Sequence, residues 1–416
     1  MAKCVALIGA FNTKRKELEY IRQSLLKNKL ETILIDLSCL EYEDSESKTD
    51  YSQEIVANKA GVNIEDVFGK PLFKVAPHMS LGASRILSEL IEENKIHGCI
   101  GIGGANGTLL AASVMENLPF GFPKAIISVM AAVDSRRLIS HTDIVLFNTI
   151  GDAVLNPVLE VMIKTATAAL KGMVDAAVKP DLPQMVGLTV LGVTDQCVHQ
   201  CMELLSEKDY PYLLLHSNGP GGATLEKMTS RDAFWGILDI TTNELLNNLL
   251  GGVFDAGSNR LEAAVKKGLP LVVSTGAVDF VNFWGLQIPE KYHGRLFIRH
   301  NIVNTLMRTD PDENALLGRV MAERLNRAVA PVKVLIPEKG FSKYDRQGGI
   351  KGTDLDGNVR GDWYWPEANR AFVNSLQENL SNELVRVEVK NMHVNDPDFS
   401  RELVDALLAI KIANEF

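Results

Sequence analysis

The chain has 416 residues, of which 46% are hydrophobic and 23% charged, and its formal net charge is −9. This length predicts two or three globular domains with apolar cores of their own. The acidic balance argues against nucleic-acid binding, and no uncharged apolar stretch is long enough to span a membrane. The N-terminal segment MAKCVALIGAF is too soon interrupted to be a signal peptide, so we expect a cytoplasmic protein.

Strands and helices alternate through the first half of the chain. The apolar run KCVALIGA (3–10) is typical of a strand buried on both faces, and a helical face over 13–28 and a strand over 31–38 complete a βαβ unit. The acidic segment 41–54 predicts a loop. The further predicted elements are helices over 79–95 and 156–177 and strands over 96–102, 124–130 and 143–148. The proline-flanked KPDLP (179–183) predicts an interdomain joint.

The same pattern then begins again. Strands are predicted over 185–193, 210–217, 233–240, 270–276, 331–337 and 384–390, with helices between them and a final helix near the end of the chain. Repeated βαβ units predict an α/β fold with parallel sheets. We therefore expect two doubly wound, Rossmann-like domains, residues 1–180 and 184–416, that face each other across a cleft.

A glycine-rich turn, GIGGANGT (101–108), connects a predicted strand to a predicted helix. Free amides at a helix start suit a phosphate, glycines let the backbone approach it, and Thr108 can add a hydroxyl. The spacing matches neither common nucleotide fingerprint, and Lys14 at the neighbouring strand end is the expected source of positive charge. Tight strand–helix packing is the alternative explanation of the glycines.

A second glycine-rich turn, HSNGPGGATLE (216–226), follows a strand of the second half. It predicts an anion-binding turn in which His216 acts as a general acid–base. The expected substrate-binding residues here are Ser217, Asn218, Gly219, Gly221 and Gly222. The alternative is a satisfied histidine beside a tight turn.

Other polar residues stand near strand ends of the second half. Asp279, Arg308 and Lys339 are candidate catalytic residues, with Arg308 as an anion clamp, and His300 and Asn301 are candidate substrate ligands. Surface pairing of Arg308 with a neighbouring acid is the alternative. The segment LDITTNE (238–244) is typical of an ordinary helix cap.

A metal site is not expected. The motif CVHQC places Cys197, His199 and Cys201 at alternate positions of a predicted helix, which do not share a face, and no zinc-protease, paired Cys-x-x-Cys or EF-hand motif occurs. Mg²⁺ carried by a nucleotide stays compatible with the sequence, since it needs only one or two carboxylates.

The order of the motifs resembles the Tm-one-like ATP-binding domain family, which includes a plant tobamovirus-resistance protein and many bacterial proteins. The resemblance runs from about residue 3 to 410. The segments that carry it are GAFNTKRKE, GIGGANGT, GVTDQCV, HSNGPGGATLE, GILDITTNEL, GGVFDAGSNRLEAA, PLVVSTGAVDFVNF, RHNIVNTLMRT, IPEKGFSKYD and NDPDFS.

The resemblance implies two α/β subdomains with ATP bound by the first. Carried over residue by residue, it assigns the nucleotide to Gly103, Gly104, Ala105, Asn106, Gly107 and Thr108, with Thr13 and Lys14 nearby. Where the family has T-x-D-T-K, this chain has AFNTK, so Asn12 replaces a carboxylate that could hold Mg²⁺.

Two functions are compatible with the sequence. The first is an ATP-dependent or phosphate-ligand enzyme acting on a small carboxylated or phosphorylated metabolite in the cleft. The alternative is a nucleotide-gated module that binds a protein partner, as the plant relative does. A homodimer is expected in either case, because symmetric dimers are the commonest assembly.

Overall fold

The computed structural model describes residues 3–42, 49–133, 135, 142–177 and 182–414. Parts of the predicted loop 41–54 and of the predicted joint 179–183 lie outside the described residues. The chain divides into two compact units, Met1–Asp181 and Leu182–Phe416. Within the described ranges, no helix has both the length and the apolarity that crossing a bilayer requires.

The first unit contains a five-stranded parallel sheet with helices on both faces. The strands are β1 (Lys3–Gly9), β2 (Leu30–Asp36), β3 (Cys99–Gly103), β4 (Lys124–Ser128) and β5 (Val145–Asn148). The helices are α1 (Phe11–Lys27), α2 (Gln53–Ala60), α3 (Leu72–Glu92), α4 (Ala105–Met115) and α5 (Pro157–Ala176). The strand order is β2-β1-β3-β4-β5, and every pair is parallel.

Alternation along β1 divides the core of the first unit into two layers. Ala6 and Ile8 pack in a cluster with residues of α2, α3 and α4, whereas Val5 and Leu7 pack with residues of α1 and α5. Successive side chains of a strand point to opposite faces, so one apolar run supplies both layers. This explains why the segment is apolar throughout.

The second unit contains a parallel sheet and an antiparallel sheet. Its strands are β6 (Met185–Val190), β7 (Tyr212–His216), β8 (Phe234–Thr241), β9 (Leu271–Gly276), β10 (Phe280–Trp284), β11 (Phe297–Arg299), β12 (Asn304–Arg308), β13 (Val332–Pro337), β14 (Lys351–Thr353), β15 (Val359–Asp362) and β16 (Val385–Lys390). Its helices are α6 (Asp195–Ser206), α7 (Pro220–Ser230), α8 (Asn243–Leu250), α9 (Ala263–Lys267), α10 (Pro311–Leu325), α11 (Pro366–Asn379) and α12 (Pro397–Asn414).

The six-stranded parallel sheet of the second unit has the order β16-β13-β9-β8-β6-β7. Counted along the chain within each parallel sheet, both units therefore follow the order 2-1-3-4-5, to which the second adds a sixth strand. This is the doubly wound order, in which successive strands are added in one direction across the sheet and then in the other, with the switch point between the first and third strands. The predicted α/β fold with parallel sheets is confirmed.

The antiparallel sheet, with the order β10-β12-β11-β14-β15, was not predicted. Its residues Phe280, Ile298 and Leu306 form an apolar cluster with Leu191 and Ala277, which follow β6 and β9. The antiparallel sheet thus covers the carboxyl ends of central strands of the parallel sheet. Its strands of three to five residues are too short for a periodic sequence signal.

Candidate functional site

The switch point of the first unit lies between β1 and β3. Ala6 pairs with Cys99 and Ile8 with Gly101 in a parallel register, so the two strands end side by side. Helices α1 and α4 both begin directly after these strand ends. Open α/β sheets bind ligands beyond such strand ends.

Helix α4 begins with amide groups that no residue caps. Its N-cap, Gly104, makes no side-chain hydrogen bond, and no described residue accepts from the amides of Ala105, Asn106 and Gly107. Ala105 and Asn106 are exposed, whereas Gly104 and Gly107 are partly exposed. The turn therefore presents unused donors, together with the positive end of the helix dipole.

Two adjacent glycines of this turn are explained by different requirements. A Cβ on Gly103 would lie 2.5 Å from the Gly107 carbonyl carbon and 2.5 Å from the Thr108 nitrogen, so only glycine fits there. A Cβ on Gly104 would meet no heavy atom within 4 Å. Gly103 serves strand–helix packing, and Gly104 keeps the space in front of the amides open.

The expectation for Thr108 is corrected. Its side chain is buried, and its hydroxyl lies 3.2 Å from the Gly103 carbonyl oxygen and 2.7 Å from the Ser128 hydroxyl. The helix begins at Ala105, so Thr108 is already in its first turn and faces the sheet. The hydroxyl ties the turn to β4 and is not directed at a ligand.

The start of α1 is filled by a carboxylate of the protein itself. Asp36, at the end of β2, accepts from the Phe11 amide at 3.3 Å, and the Ser38 hydroxyl accepts from the Asn12 amide at 3.2 Å. The second Asp36 oxygen accepts from the Tyr42 hydroxyl at 2.6 Å. Asp36 was not predicted as a functional residue, because nothing local in the sequence marks its contact with a helix 25 residues earlier.

Thr13 and Lys14 lie in the first turn of α1. Thr13 is exposed, and its hydroxyl is 3.4 Å from the Ala10 carbonyl oxygen. The ammonium of Lys14 donates to the carbonyl of Ala153, and its backbone departs from helical geometry at φ −126° and ψ 22°. Lys14 is therefore held by the loop after β5.

An open groove of about 820 Å³ runs between α3 and α4. It starts at Asn106 of the glycine turn and continues over apolar side chains. The lining residues are Leu72, Phe73, Ala76, Pro77, Ser80, Leu81, Asn106, Leu109, Leu110, Ser113, Glu116 and Asn117. A concave, mostly apolar surface with a few polar groups is typical of a ligand pocket.

The second glycine turn does not offer free amides to an external anion, which corrects the expectation for residues 217–222. Oε1 of Glu244 accepts from the amides of Gly219 at 2.7 Å and Gly222 at 2.9 Å. A Cβ on Gly222 would lie 2.0 Å from the other Glu244 oxygen, and one on Gly221 would lie 1.9 Å from the His216 carbonyl oxygen. An internal carboxylate thus occupies the place predicted for a ligand.

Arg260 holds that carboxylate in a buried ionic network. Its guanidinium binds both oxygens of Asp239 at 2.6 Å, Oε2 of Glu244 at 2.7 Å and Glu226 at 3.4 Å. Burial raises the pKa of Glu244 to about 7, although Arg260 and the two amides favour its charged form. LDITTNE therefore does more than cap its own helix, since Glu244 caps α7. The network joins three segments that carry the family resemblance, HSNGPGGATLE, GILDITTNEL and GGVFDAGSNRLEAA, and its role is to stabilise the fold.

Arg308 is not placed to clamp an external anion. It is 1% exposed, and its donors reach the carbonyls of Trp363, Asp279 and Thr309 and the side chains of Asp345 and Asn369. All five guanidinium hydrogens thus have acceptors inside the protein. The sequence-based expectation of a clamp is wrong for this residue.

Asp279 is fully buried beside this arginine and is likewise structural. Its Oδ2 accepts from the Ser342 hydroxyl and the Trp363 indole, both at 2.8 Å, and its Oδ1 has no partner among the described residues. Burial, and then the nearby Asp345 charge, raise its pKa to about 6. The expectation of direct catalysis is corrected, because the carboxyl has no access to solvent.

The remaining candidates of the second unit divide by exposure. Ser217 is buried and donates to the Thr241 carbonyl at 3.0 Å, while Asn218 accepts from the Gly221 amide at 3.4 Å. His216 is exposed at the end of an edge strand, and partial burial lowers its pKa. His300, Asn301 and Lys339 are exposed. These exposed groups and the partly exposed Asn218 are accessible to a ligand.

His300 is the one of these that belongs to a side-chain cluster. Its Nδ1 lies 2.9 Å from the Tyr344 hydroxyl, and the Lys343 ammonium lies 5.2 Å from the centre of the Tyr344 ring. Neither Tyr344 nor Lys343 was singled out from the sequence. The family segment IPEKGFSKYD contains both, and this was the available signal.

No group of three or more His, Cys, Asp or Glu side chains in the described part of the chain could hold a metal ion. Cys197 and Cys201 share the buried face of α6, one turn apart, whereas His199 is exposed. The Nδ1 of His199 interacts with the Asp195 carbonyl at 2.8 Å.

Models of two domains of one protein family match the chain. The Uncharacterised protein family (UPF0261) N-terminal domain matches residues 3–179, and the C-terminal domain of the same family matches residues 183–411. A UPF0261 protein of Clostridium tetani (strain Massachusetts / E88) is 33% identical over 414 residues, which cover 98% of this chain and 99% of that protein.

A plant protein is similar over the same range. The ToMV resistance protein Tm-1(GCR237) of Solanum lycopersicum is 34% identical over 434 residues, which cover 98% of this chain and 55% of the tomato protein. Among solved structures, the UDP-GlcNAc 2-epimerase from Methanocaldococcus jannaschii aligns over 98% of this chain and 99% of its own, at 10% identity and a TM-score of 0.24. A TM-score this low does not establish a shared fold, so the fold of this chain is defined by its strand order.

Proposed function

The chain belongs to the Uncharacterised protein family (UPF0261), which confirms the resemblance drawn from its motifs, and on this premise we propose that its first unit binds a nucleotide, ATP, at the β1–β3 switch point. The observation that carries the proposal is the uncapped start of α4. The amides of Ala105, Asn106 and Gly107 lack acceptors in the described structure and are open to solvent. Phosphate oxygens are the acceptors that such a helix start favours.

Two other helix starts of the molecule support this assignment by contrast. Asp36 occupies the start of α1, and Glu244 occupies the start of α7. Both helices therefore obtain a negative group from the protein itself. Helix α4 has none, so a ligand anion would complete it in the same way.

The groove between α3 and α4 supplies a surface for the rest of the nucleotide. Asn106 belongs to both the amide turn and the groove, so a phosphate on the turn would lie at one end of the apolar surface. Gly104 leaves the approach open, and Gly103 allows the helix to start this close to the strand. Thr13 is exposed beside this edge, whereas Lys14 would need to release Ala153 before it could reach a phosphate.

Mg²⁺ would have to be held mainly by the phosphates and water. Both Asp36 oxygens are already bonded, and Asn12 stands where the family has a carboxylate. The buried Oδ1 of Asn12 has no partner among the described residues, so it is one neutral oxygen at this edge of the sheet. Mg²⁺ accepts such oxygen ligands.

Substitution of Gly104 by valine tests the site. The added side chain would stand in the open space before the amides, so the affinity for ATP should fall by roughly 100-fold, as expected for two lost charge-assisted hydrogen bonds. Stability should change little, since no atom lies within 4 Å of the new Cβ. Gly172→Val is the matched control, because that glycine of α5 is equally unobstructed. Isothermal titration with ATP that gave equal affinities for Gly104→Val and wild type would refute the proposed site.

We further propose that the nucleotide serves an enzyme that acts on a small carboxylated or phosphorylated metabolite. The exposed polar residues of the second unit support this function. The exposed apolar residues beside α4, above all Phe73 at 75% exposure, favour a nucleotide-gated protein-binding module as the alternative. Phosphate release from ATP, measured with and without small organic acids, separates the two. ATP binding without turnover under every condition supports the module.

The identity of the nucleotide as ATP, the homodimer, the interdomain cleft and the cytoplasmic location stay predictions. A thermal-shift panel of nucleotides and sugar phosphates tests the identity of the nucleotide, because a ligand of the folded state raises the melting temperature. Light scattering on the purified protein tests the homodimer.

A further inference from the structure

We propose that His300, Tyr344 and Lys343 form a proton-transfer centre for a small anionic substrate in the second unit. His300 would take the proton, Lys343 would bind the anionic group, and Tyr344 would position the imidazole. Each residue lies in the second unit, so the proposal does not depend on the nucleotide site.

The imidazole of His300 is held by one nitrogen and free at the other. Nδ1 lies 2.9 Å from the Tyr344 hydroxyl, and the two rings meet edge to face with centroids 6.2 Å apart. Nε2 has no hydrogen-bond partner among the described residues, and the side chain is exposed. A general base needs this arrangement, in which one nitrogen fixes the orientation and tautomer while the other faces the substrate.

Three other histidines of this unit are bonded to backbone carbonyls instead. His293 interacts with the Ile288 carbonyl, and His393 with the Ser342 carbonyl. His199 interacts with the Asp195 carbonyl of its own helix. In His300 the bonded partner is the phenol of a second titratable side chain, which can accept or donate.

Lys343 places a positive charge beside the imidazole. Its ammonium donates to the Gly192 carbonyl at 3.2 Å and lies over the Tyr344 ring, which leaves further N–H groups for an anion. Gly192 follows β6, at the switch point of the parallel sheet, and a Cβ there would meet no atom within 4 Å. The centre thus lies where doubly wound sheets bind ligands.

Hydrogen bonds to buried groups fix the loop that carries Lys343 and Tyr344. The Tyr344 amide donates to the Ser342 hydroxyl at 3.2 Å, and that hydroxyl donates to Asp279 at 2.8 Å. The Phe341 amide donates to Asp345 at 3.0 Å, and Lys343 donates through its own amide to the Val193 carbonyl at 3.0 Å. Asp279, which was expected to be catalytic, and the neighbouring Asp345 would therefore act by fixing the loop that presents the exposed groups.

The chemistry requires no further reactant. A substrate O–H, or a C–H beside a carbonyl, gives its proton to Nε2 of His300, and its electron pair stays on the substrate. The Nδ1–H bond persists and donates to the Tyr344 oxygen, so the imidazolium is oriented throughout. Burial, and then the Lys343 charge, lower the pKa of His300, so the imidazole is neutral and able to accept a proton near pH 7.

Chemical modification of His300 tests the proposal. Diethyl pyrocarbonate acylates neutral imidazole, and peptide mass spectrometry measures the rate of this reaction at His300. Malonate and inorganic phosphate are the anion probes, and His199 is the internal reference. In the wild type each probe should slow acylation of His300 by roughly tenfold at saturation, without an effect on His199. Lys343→Met should abolish this protection and raise the pH of half-maximal reaction, whereas the matched control Lys208→Met, at an exposed lysine of the same unit, should change neither.

Nitrogen NMR of His300 tests the positioning role of Tyr344. The proposal requires the Nδ1–H tautomer in the wild type and its loss in Tyr344→Phe, which retains the ring. An Nε2–H tautomer in the wild type would overturn the proposal, as would equal anion protection in Lys343→Met. The three substituted residues are at least partly exposed, so cooperative unfolding of each variant should match that of the wild type.

Discussion

Arg308 shows how burial decides the role of a charged side chain. In the sequence it stands among polar residues that would suit an anion site, but in the structure its donors all meet acceptors of the protein. A buried guanidinium with complete partners has no capacity left for a ligand. Removing it would leave Asp345 buried without its countercharge.

We predict that Arg308→Met lowers the free energy of unfolding by roughly 3–5 kcal/mol, the usual cost of breaking a buried charge pair. Arg319→Met is the control, because Arg319 is exposed on α10 and has no partner among the described residues, so its loss should change stability by less than about 0.5 kcal/mol. Urea denaturation measures both. Equal stabilities for the two variants would contradict a structural role of Arg308.

Asp279 predicts a pH dependence with a defined sign. Its pKa is raised from 3.8 to about 6 in the folded protein, so folding keeps the proton and ionisation costs stability. The contribution is fully present below pH 3.8 and is lost as the pH rises through about 6. At about 1.36 kcal/mol per pH unit, the wild type should lose roughly 2–3 kcal/mol relative to Asp279→Asn between pH 4 and pH 7. Denaturation curves at both pH values would contradict this if the difference between the two proteins stayed constant.

At the scale of elements, the molecule treats similar helix starts in different ways. Helix α7 follows a glycine turn much like that of α4, but Glu244 reaches back over more than twenty residues to accept from its first amides. The carboxylate is 0% exposed and paired with Arg260. Glycine-rich turns of equal appearance thus lead to one closed and one open helix start.

We predict that Glu244→Ala destabilises the protein by roughly 3–5 kcal/mol, because Arg260 loses a buried partner and two amides lose their acceptor. Formate is small enough to enter the space of the deleted carboxylate and should restore part of the loss, whereas chloride at the same ionic strength should not. Glu207→Ala, an exposed change at the end of α6, should be neutral. Unfolding in the presence of each salt distinguishes these outcomes, and an unchanged stability of Glu244→Ala would refute the cap.

The sequence predicted the elements with long local signals and missed those that depend on distant contacts. Apolar runs such as 3–10 correctly predicted the parallel strands. The three- to five-residue antiparallel strands left no periodic pattern. The same holds for the candidate site. The glycine turn before α4 is visible in the local sequence. The contact between Glu244 and Gly219 is not, because it joins two segments that only the folded chain brings together.

At the scale of the whole molecule, the two units repeat one strand order but differ in what lies over their strand ends. The second unit inserts an antiparallel sheet there, which covers Leu191 and Ala277 and leaves polar residues such as His300 exposed at its margin. Helix α4 of the first unit keeps its opening amides exposed at the corresponding edge. The same topology therefore leaves free helix-start amides beside the strand ends in one unit and exposed polar side chains around a covered edge in the other.

Each apolar cluster of the described residues lies within a single unit, which predicts that the units fold independently. Fragments 1–181 and 182–416 should each unfold cooperatively in urea, since both are large enough to bury a core of their own. ATP should raise the melting temperature of the first fragment and not of the second, because only α4 has free opening amides in the proposed site. Malonate should protect His300 in the second fragment as it does in the intact chain. A first fragment that folds but ignores ATP would place the nucleotide elsewhere, whereas a fragment without a cooperative transition would show that its core is incomplete by itself.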